Sequence, residues 1–68
     1  MPIAKELTIL VVDDQQTIRS LARLGLEQLG IGEILDAADG EQALKVILTR
    51  KQPVHLVISD YNMPNLNG

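Results

Sequence analysis

The feature that most constrains the fold is an apolar run near the amino terminus that stops at two consecutive carboxylates. Residues 7–12 have the sequence LTILVV, and Asp13 and Asp14 follow directly. Such a nearly continuous, β-branched run predicts a strand that is buried on both faces, which is typical of a parallel sheet. Because parallel strands must be joined by crossover connections, the run indicates an α/β protein.

The rest of the chain alternates between helical and strand patterns. A helical period of apolar residues predicts a helix over residues 15–29, with Gly30 as its C-terminal cap. A short strand is predicted at residues 33–37, a second helix from Gly40 to about Lys51, and a third strand at residues 55–59. The predicted order is therefore β-α-β-α-β, and a chain of 68 residues holds one domain at most.

The spacing of apolar residues also predicts which faces of the helices point inward. Asp39 and Gln42 have the form of a capping box at the start of the second helix. The inward positions predicted for the second helix are Ala43, Leu44, Ile47 and Leu48. For the first helix they are Ile18, Leu21, Ala22, Gly25 and Leu29, with Leu26 beside them and Arg19, Arg23 and Glu27 on the other side.

Composition and charge exclude several classes of function. The net charge is −3 and the six basic residues are scattered, which argues against a nucleic-acid partner. Cysteine is absent, so a disulfide framework and a thiolate metal site are excluded. The longest apolar run, residues 9–12, is too short to span a bilayer, and no signal peptide is recognisable. We therefore expect a cytoplasmic protein without a membrane or nucleic-acid partner.

Two of the predicted strands end in carboxylates, Asp13 and Asp14 after the first and Asp60 after the third. Ligands of parallel α/β sheets bind outside the carboxyl ends of the strands. If the two strands are neighbours, three carboxylates converge and repel one another unless a cation is present. Mg²⁺ takes oxygen ligands and commonly uses one or two carboxylates together with a phosphate. The cluster therefore predicts Mg²⁺ and a phosphoryl group, and a carboxylate can itself be the nucleophile toward phosphorus.

Two segments of the chain closely resemble the receiver domain of bacterial two-component response regulators, especially the single-domain chemotaxis type. They are LVVDD at residues 10–14 and VISDYNMPNLNG at residues 57–68, and ADGEQAL at residues 38–44 resembles the start of the family's second helix. The resemblance covers essentially the whole chain. It implies a flavodoxin-like (βα)₅ fold, of which residues 1–68 would be a partial receiver domain with the first three strands and two helices, in the parallel order 2-1-3.

The resemblance also implies a role for individual residues. Asp60 would accept a phosphoryl group from a sensor histidine kinase or a phosphotransfer protein. Asp14 and Asp60 would bind Mg²⁺ through their side chains, Asn62 through its backbone carbonyl, and Asp13 mainly through water. The single histidine, His55, lies at the other end of a strand and is expected to be structural or solvent-facing and not catalytic. The family consists of signalling modules that are not usually classed as enzymes.

The sequence departs from the family pattern because it stops at Gly68, before the family's downstream Ser/Thr and Lys. One alternative is therefore an interaction module that is not phosphorylated. Its third strand, residues 54–59, would be an exposed edge that favours self-association. Another alternative is a Mg²⁺-dependent phosphohydrolase. The sequence disfavours it, because Asn62 stands two residues after Asp60 where a second acid would be needed.

Overall fold

A computed structural model of the chain describes residues 3–59, so that residues 1–2 and 60–68 lie outside the described part. The order of the main elements confirms the predicted β-α-β-α-β pattern, preceded by one 3₁₀ turn. The elements are the turn Ala4–Glu6, β1 Thr8–Val12, α1 Gln16–Gln28, β2 Glu33–Ala37, α2 Gly40–Thr49 and β3 Leu56–Ser59.

The three strands form one parallel sheet, as the sequence pattern predicts, in the order β2-β1-β3 that the family resemblance implies. β1 is central and pairs on one side with β2, where Thr8 lies opposite Glu33 and Val12 opposite Ala37. On its other side it pairs with β3, where Val12 lies opposite Ser59. The register therefore brings the carboxyl ends of all three strands to the same edge of the sheet.

The central strand is buried along its whole length, which confirms the interpretation of the apolar run. All five residues of β1 are buried, and Leu10 has no exposed surface. Complete burial of an aliphatic side chain of this size stabilises the fold by about 1.5–3 kcal/mol. The core around it consists of Leu10, Val12, Ala37 and Ala43, with Leu35, Val46 and Val54 packed against them.

Both predicted caps are present. Gly30 has a φ of 81°, and its N–H donates to the carbonyl of Glu27 at 3.0 Å. This is half of a Schellman motif, which the N–H of Ile31 completes by donating to the carbonyl of Leu26 at 3.3 Å.

At the start of α2 the Asp39 side chain accepts a hydrogen bond from the N–H of Gln42 at 2.8 Å. The Gln42 side chain reaches back and accepts from the N–H of Ala38 at 3.0 Å, one residue before the position used in a standard capping box. The helix ends at Thr49 and not near Lys51, since the next residue has an extended backbone. That residue, Arg50, instead directs its guanidinium to β2.

The predicted inward faces of the helices are only partly correct. Both helices lie mainly against β1 and β2, so they bury a narrower strip than their apolar faces offer. In α1, Ala22 and Leu26 are half-buried, whereas Ile18, Leu21, Gly25 and Leu29 are exposed, Leu29 by 69%. In α2, Ala43 is buried as predicted, but Leu44, Ile47 and Leu48 are exposed and Val46, which was not predicted, packs on the core.

The outward face predicted for α1 also needs correction. Arg19 and Arg23 are half-buried, and the side chain of Arg19 is only 16% exposed because the guanidinium has one partner directly after β1 and another on β2. Glu27 is exposed as predicted. Across residues 3–59, neither helix has the length and apolar character that crossing a membrane requires.

Candidate acidic site at the carboxyl ends of the strands

The candidate site lies at the edge of the sheet where β1 and β3 both end. Val12 is paired with Ser59, which is the last described residue, and Asp60 follows it in the sequence. Asp13 follows Val12 directly. The parallel pairing of β1 with β3 therefore confirms that the strands preceding the two acidic motifs are neighbours. Asp60 and Asn62 themselves lie outside the described residues.

Asp13 is held rigidly at the end of β1. It is only 4% exposed, and its backbone N–H donates to the carbonyl of Ala37 at 3.1 Å, which ties it to the end of β2. One carboxylate oxygen, Oδ1, accepts a hydrogen bond from the N–H of Gln15 at 2.9 Å. The next residue, Asp14, is exposed at the mouth of the site. The acidic pair thus consists of a buried, fixed carboxylate and a solvent-facing one.

The buried carboxylate of Asp13 takes part in no ion pair in the described part of the chain, although the Arg19 guanidinium lies against the backbone carbonyl of the same residue. Within residues 3–59 the ion pairs are Arg19 with Asp36 at 3.4 Å and Arg50 with Glu33 at 2.7 Å, and neither includes Asp13. Burial of a carboxylate without a compensating charge is costly. The arrangement therefore favours a bound cation at this edge.

Arg19 belongs to the surroundings of the site, although the sequence pattern placed it on the outer side of α1. Its Nη1 donates to the backbone carbonyl of Asp13 at 2.8 Å, and its Nε lies 3.4 Å from Oδ2 of Asp36 on β2. One signal could have revealed it. A cation close to the N-terminal end of a helix is opposed by the helix dipole, so its presence there calls for a partner outside the helix.

The opposite edge of the sheet carries a second polar network, centred on Glu33 at the start of β2. Arg50 donates to both oxygens of its carboxylate, at 2.7 and 3.2 Å, and the Thr8 hydroxyl donates at 3.3 Å. The hydrogen bond from Arg50 is the main cause that lowers the pKa of Glu33 below its usual value, and burial opposes it only in part. A shallow depression lined by Glu33, Arg50, Lys51 and Gln52 lies here.

His55 joins this second network, at the amino end of β3. Its ring nitrogen Nδ1 accepts a hydrogen bond from the backbone N–H of Thr8 at 2.9 Å. The backbone N–H of His55 donates to the carbonyl of Thr8, also at 2.9 Å. The side chain therefore replaces a backbone acceptor and fastens β3 to β1. These contacts give His55 a structural role, and the residue is also exposed, so both alternatives of the expectation hold.

The predicted metal ligands are only partly described. In residues 3–59 no group of three or more His, Cys, Asp or Glu side chains is placed to hold a metal ion. The predicted set, however, needs Asp60 and Asn62 in addition to Asp13 and Asp14. The four-residue site therefore stays a prediction.

The sheet topology and the acidic carboxyl edge define a class: a parallel α/β protein whose ligands are bound beyond the ends of its strands. Within that class the family is known, because the model of the response regulator receiver domain matches residues 9–68. The chain belongs to the response regulator receiver domain family.

Two relatives show which members of the family the chain resembles. It is 50% identical over all of its 68 residues to a probable chemotaxis protein CheY of Rhizobium etli, of which it covers 51%. It is 40% identical over 60 residues, 88% of the chain, to a chemotaxis protein CheY homolog of Campylobacter jejuni, of which it covers 45%. The chain thus spans about half the length of the curated relatives it matches. No solved structure matches it.

Proposed function

We propose that the chain is a phosphoryl-accepting module of two-component signal transduction, in which Asp60 receives the group from a sensor histidine kinase or a phosphotransfer protein. The observation that carries the proposal is the buried carboxylate of Asp13, which has no cationic partner in residues 3–59 and lies on the strand paired with the one that precedes Asp60. Membership of the receiver family and the similarity to proteins named for chemotaxis support the same reading.

The residues at this edge suit Mg²⁺, a hard cation that prefers oxygen ligands. Within the described residues, Oδ1 of Asp13 accepts a hydrogen bond from the N–H of Gln15, and its other carboxylate oxygen accepts none. Asp14 is open to solvent. We propose that Asp13, Asp14, Asp60 and the backbone carbonyl of Asn62 hold the ion, directly or through water. When bound, the ion would neutralise charge on the transferring phosphoryl group.

The proposed reaction is a transfer between two side chains. A carboxylate oxygen of Asp60 forms a bond to phosphorus while the phosphorus–nitrogen bond of the kinase phosphohistidine breaks. The electron pair of that bond returns to the imidazole nitrogen, which takes up a proton from solvent. The chain's contribution is to position the nucleophile, because the register of β1 and β3 brings Val12 and Ser59 side by side just before the two acidic motifs.

Acetyl phosphate provides a direct test without a kinase. The 68-residue chain is incubated with it, with and without Mg²⁺, and the intact mass is measured. We expect a Mg²⁺-dependent gain of one phosphoryl group that Asp60→Asn abolishes. Asp39→Asn is the matched control, since it removes one carboxylate while retaining the cap of α2. Labelling that survives Asp60→Asn, or that is independent of Mg²⁺, would contradict the proposal.

The proposal has four further parts. Residues 1–68 make up the first three strands and two helices of one receiver domain. The module acts in the cytoplasm and binds neither nucleic acid nor membrane. It is a signalling protein and not an enzyme. Similarity to the chemotaxis regulators supports them. Steady turnover of a phosphate ester by the chain would contradict the last part and favour a phosphohydrolase.

The alternative is an interaction module that associates with itself through β3. Two observations favour it: β3 is an edge of the described sheet, and Leu56 and Val57 are 51% and 44% exposed. Unpaired edge strands invite pairing with another chain, most simply with two-fold symmetry.

Light scattering distinguishes the two candidates. The interaction module predicts a dimer that Val57→Lys dissociates and that Leu48→Lys, on the exposed face of α2, leaves intact. A monomer at micromolar concentration would exclude this candidate. A dimer that is not labelled by acetyl phosphate would favour it over the phosphoryl acceptor.

A further inference from the structure

We propose that Arg19 is a positioning residue for the acidic pair Asp13–Asp14: its guanidinium fixes the peptide between the two carboxylates and thereby sets where their oxygens can bind Mg²⁺. The inference rests on the proposed function. It starts from the hydrogen bond that Nη1 donates to the Asp13 carbonyl at 2.8 Å.

The peptide bond carries this constraint from Arg19 to Asp14. The carbonyl of Asp13 and the N–H of Asp14 belong to one planar unit, so fixing the carbonyl direction also fixes the start of the following residue. The other hydrogen bonds of Asp13 do not include this peptide unit. Its backbone N–H, which belongs to the preceding peptide, donates to the carbonyl of Ala37, and its side-chain Oδ1 accepts from the N–H of Gln15. Arg19 is thus the contact, within the described residues, that defines the Asp13–Asp14 peptide.

The guanidinium is itself held from β2. Its Nε lies 3.4 Å from Oδ2 of Asp36, close enough for an ion pair, although Nε donates no hydrogen bond within residues 3–59. A planar fork can face two acceptors on different strands at once, whereas a lysine ammonium offers a single point charge. Arg19 therefore spans the end of β1, β2 and the first turns of α1.

The stability of α1 alone does not explain why an arginine stands at position 19. Arg19 is the fourth residue of the helix, where the helix dipole disfavours a cation. The side chain is also drawn out of solvent, to 16% exposure, which costs conformational freedom. Both costs are offset by the contacts with the Asp13 carbonyl, which belongs to the site, and with Asp36 on β2.

Charge and position predict opposite effects of removing Arg19. As a nearby cation, Arg19 repels Mg²⁺, so its charge alone predicts tighter binding when the residue is made neutral. If it positions the ligands, its loss weakens binding, and loss of partners that orient metal ligands typically costs about 10- to 100-fold in affinity. The sign of the change therefore distinguishes the two roles.

The experiment is a Mg²⁺ titration of the 68-residue chain followed by the fluorescence of Tyr61, the single tyrosine in a chain without tryptophan and the neighbour of Asp60. A second readout is the NMR shift of the Asp14 amide in the absence of metal. The variants are Arg19→Gln and Arg19→Lys, and the control is Arg23→Gln, which removes a half-buried arginine one turn further along α1. Circular dichroism verifies that each variant is folded.

We expect Mg²⁺ affinity to fall at least about tenfold in Arg19→Gln, to fall less in Arg19→Lys, and to change little in Arg23→Gln. The Asp14 amide should shift in both Arg19 variants and not in the control. Equal or tighter Mg²⁺ binding by folded Arg19→Gln, or an equal loss in Arg23→Gln, would overturn the inference. If Arg19→Gln does not fold, the Mg²⁺ affinity of Arg19→Lys is the test. An affinity equal to that of the parent chain would then overturn the positioning role of Arg19.

Failure of the proposed function gives a different result. In that case the parent chain itself shows no Mg²⁺ response, and the inference falls with the function. A parent that binds Mg²⁺ together with an Arg19 variant that binds it equally well refutes the positioning role alone.

Discussion

Replacing glycine by alanine at two positions near the end of α1 should change the stability of the chain in opposite directions. Gly25 lies in the helix interior, and a Cβ added there would meet no atom within 4 Å. Because glycine in a helix costs about 0.5–1 kcal/mol relative to alanine, Gly25→Ala should stabilise the fold by about that amount.

Gly30 lies five residues later, outside the helix, and has a φ of 81°. A Cβ added there also meets no atom within 4 Å, so the cost of Gly30→Ala is one of backbone conformation and not of collision. The left-handed region costs an L-residue about 1–2 kcal/mol. Because the position needs that conformation, the lower entropy of the unfolded alanine chain offsets only part of this cost. We expect a net loss of about 1 kcal/mol.

The two variants should therefore differ by about 1.5–2 kcal/mol, a factor of roughly 10 to 30 in the folding equilibrium. Urea unfolding followed by far-ultraviolet circular dichroism measures the difference, since both variants expose similar surface and should share one slope. The reasoning is refuted if Gly30→Ala is as stable as the parent or if both substitutions shift the midpoint in the same direction.

Three further predictions concern single contacts. Asp39→Ala should lower the free energy of unfolding by about 1 kcal/mol, seen as a lower urea midpoint. Asp39→Asn should leave it unchanged, because asparagine also caps a helix. Gly32→Ala should destabilise the fold, as seen by the same measurement, since its Cβ would overlap the backbone carbonyl of Lys5. Arg50 lowers the pKa of Glu33, so this pair stabilises the fold above the usual carboxylate pKa of 4.5 and loses its effect as the pH falls through the lowered value. Glu33→Gln should therefore reduce stability at neutral pH and have less effect in acid, in paired urea titrations.

The features that the sequence predicted correctly depend on neighbouring residues or on a single uninterrupted pattern. Gly30 and Asp39 form the expected caps because each cap is complete within a few residues. The buried character of β1 follows from a run that has no polar alternation to place on an exposed face. His55 could be assigned a structural or solvent-facing place from its position at the start of a strand, away from the acidic end, although its bond to Thr8 could not be foreseen.

The features that the sequence missed depend on distant segments. A helical period shows that α1 and α2 have apolar faces, but not which part of each face meets the sheet. Val46 is inward and Leu48 outward because α2 lies mainly on β1 and β2. Arg19 turns inward for the same kind of reason. The amphipathic pattern places it on the outer side of α1, but its guanidinium contacts the Asp13 carbonyl and Asp36, which both lie outside the helix.

The sequence by itself determined the order of the elements, the central strand, both caps and the positions of the acidic motifs, because each of these is written in local pattern and spacing. Only the tertiary structure decided the rotation of the helices, the ties from Arg19 and Arg50 to β2, and the near-complete burial of Asp13. These depend on how strands from separate parts of the chain are brought together. The register that sets Val12 beside Ser59 is what turns two separate acidic motifs into one candidate site.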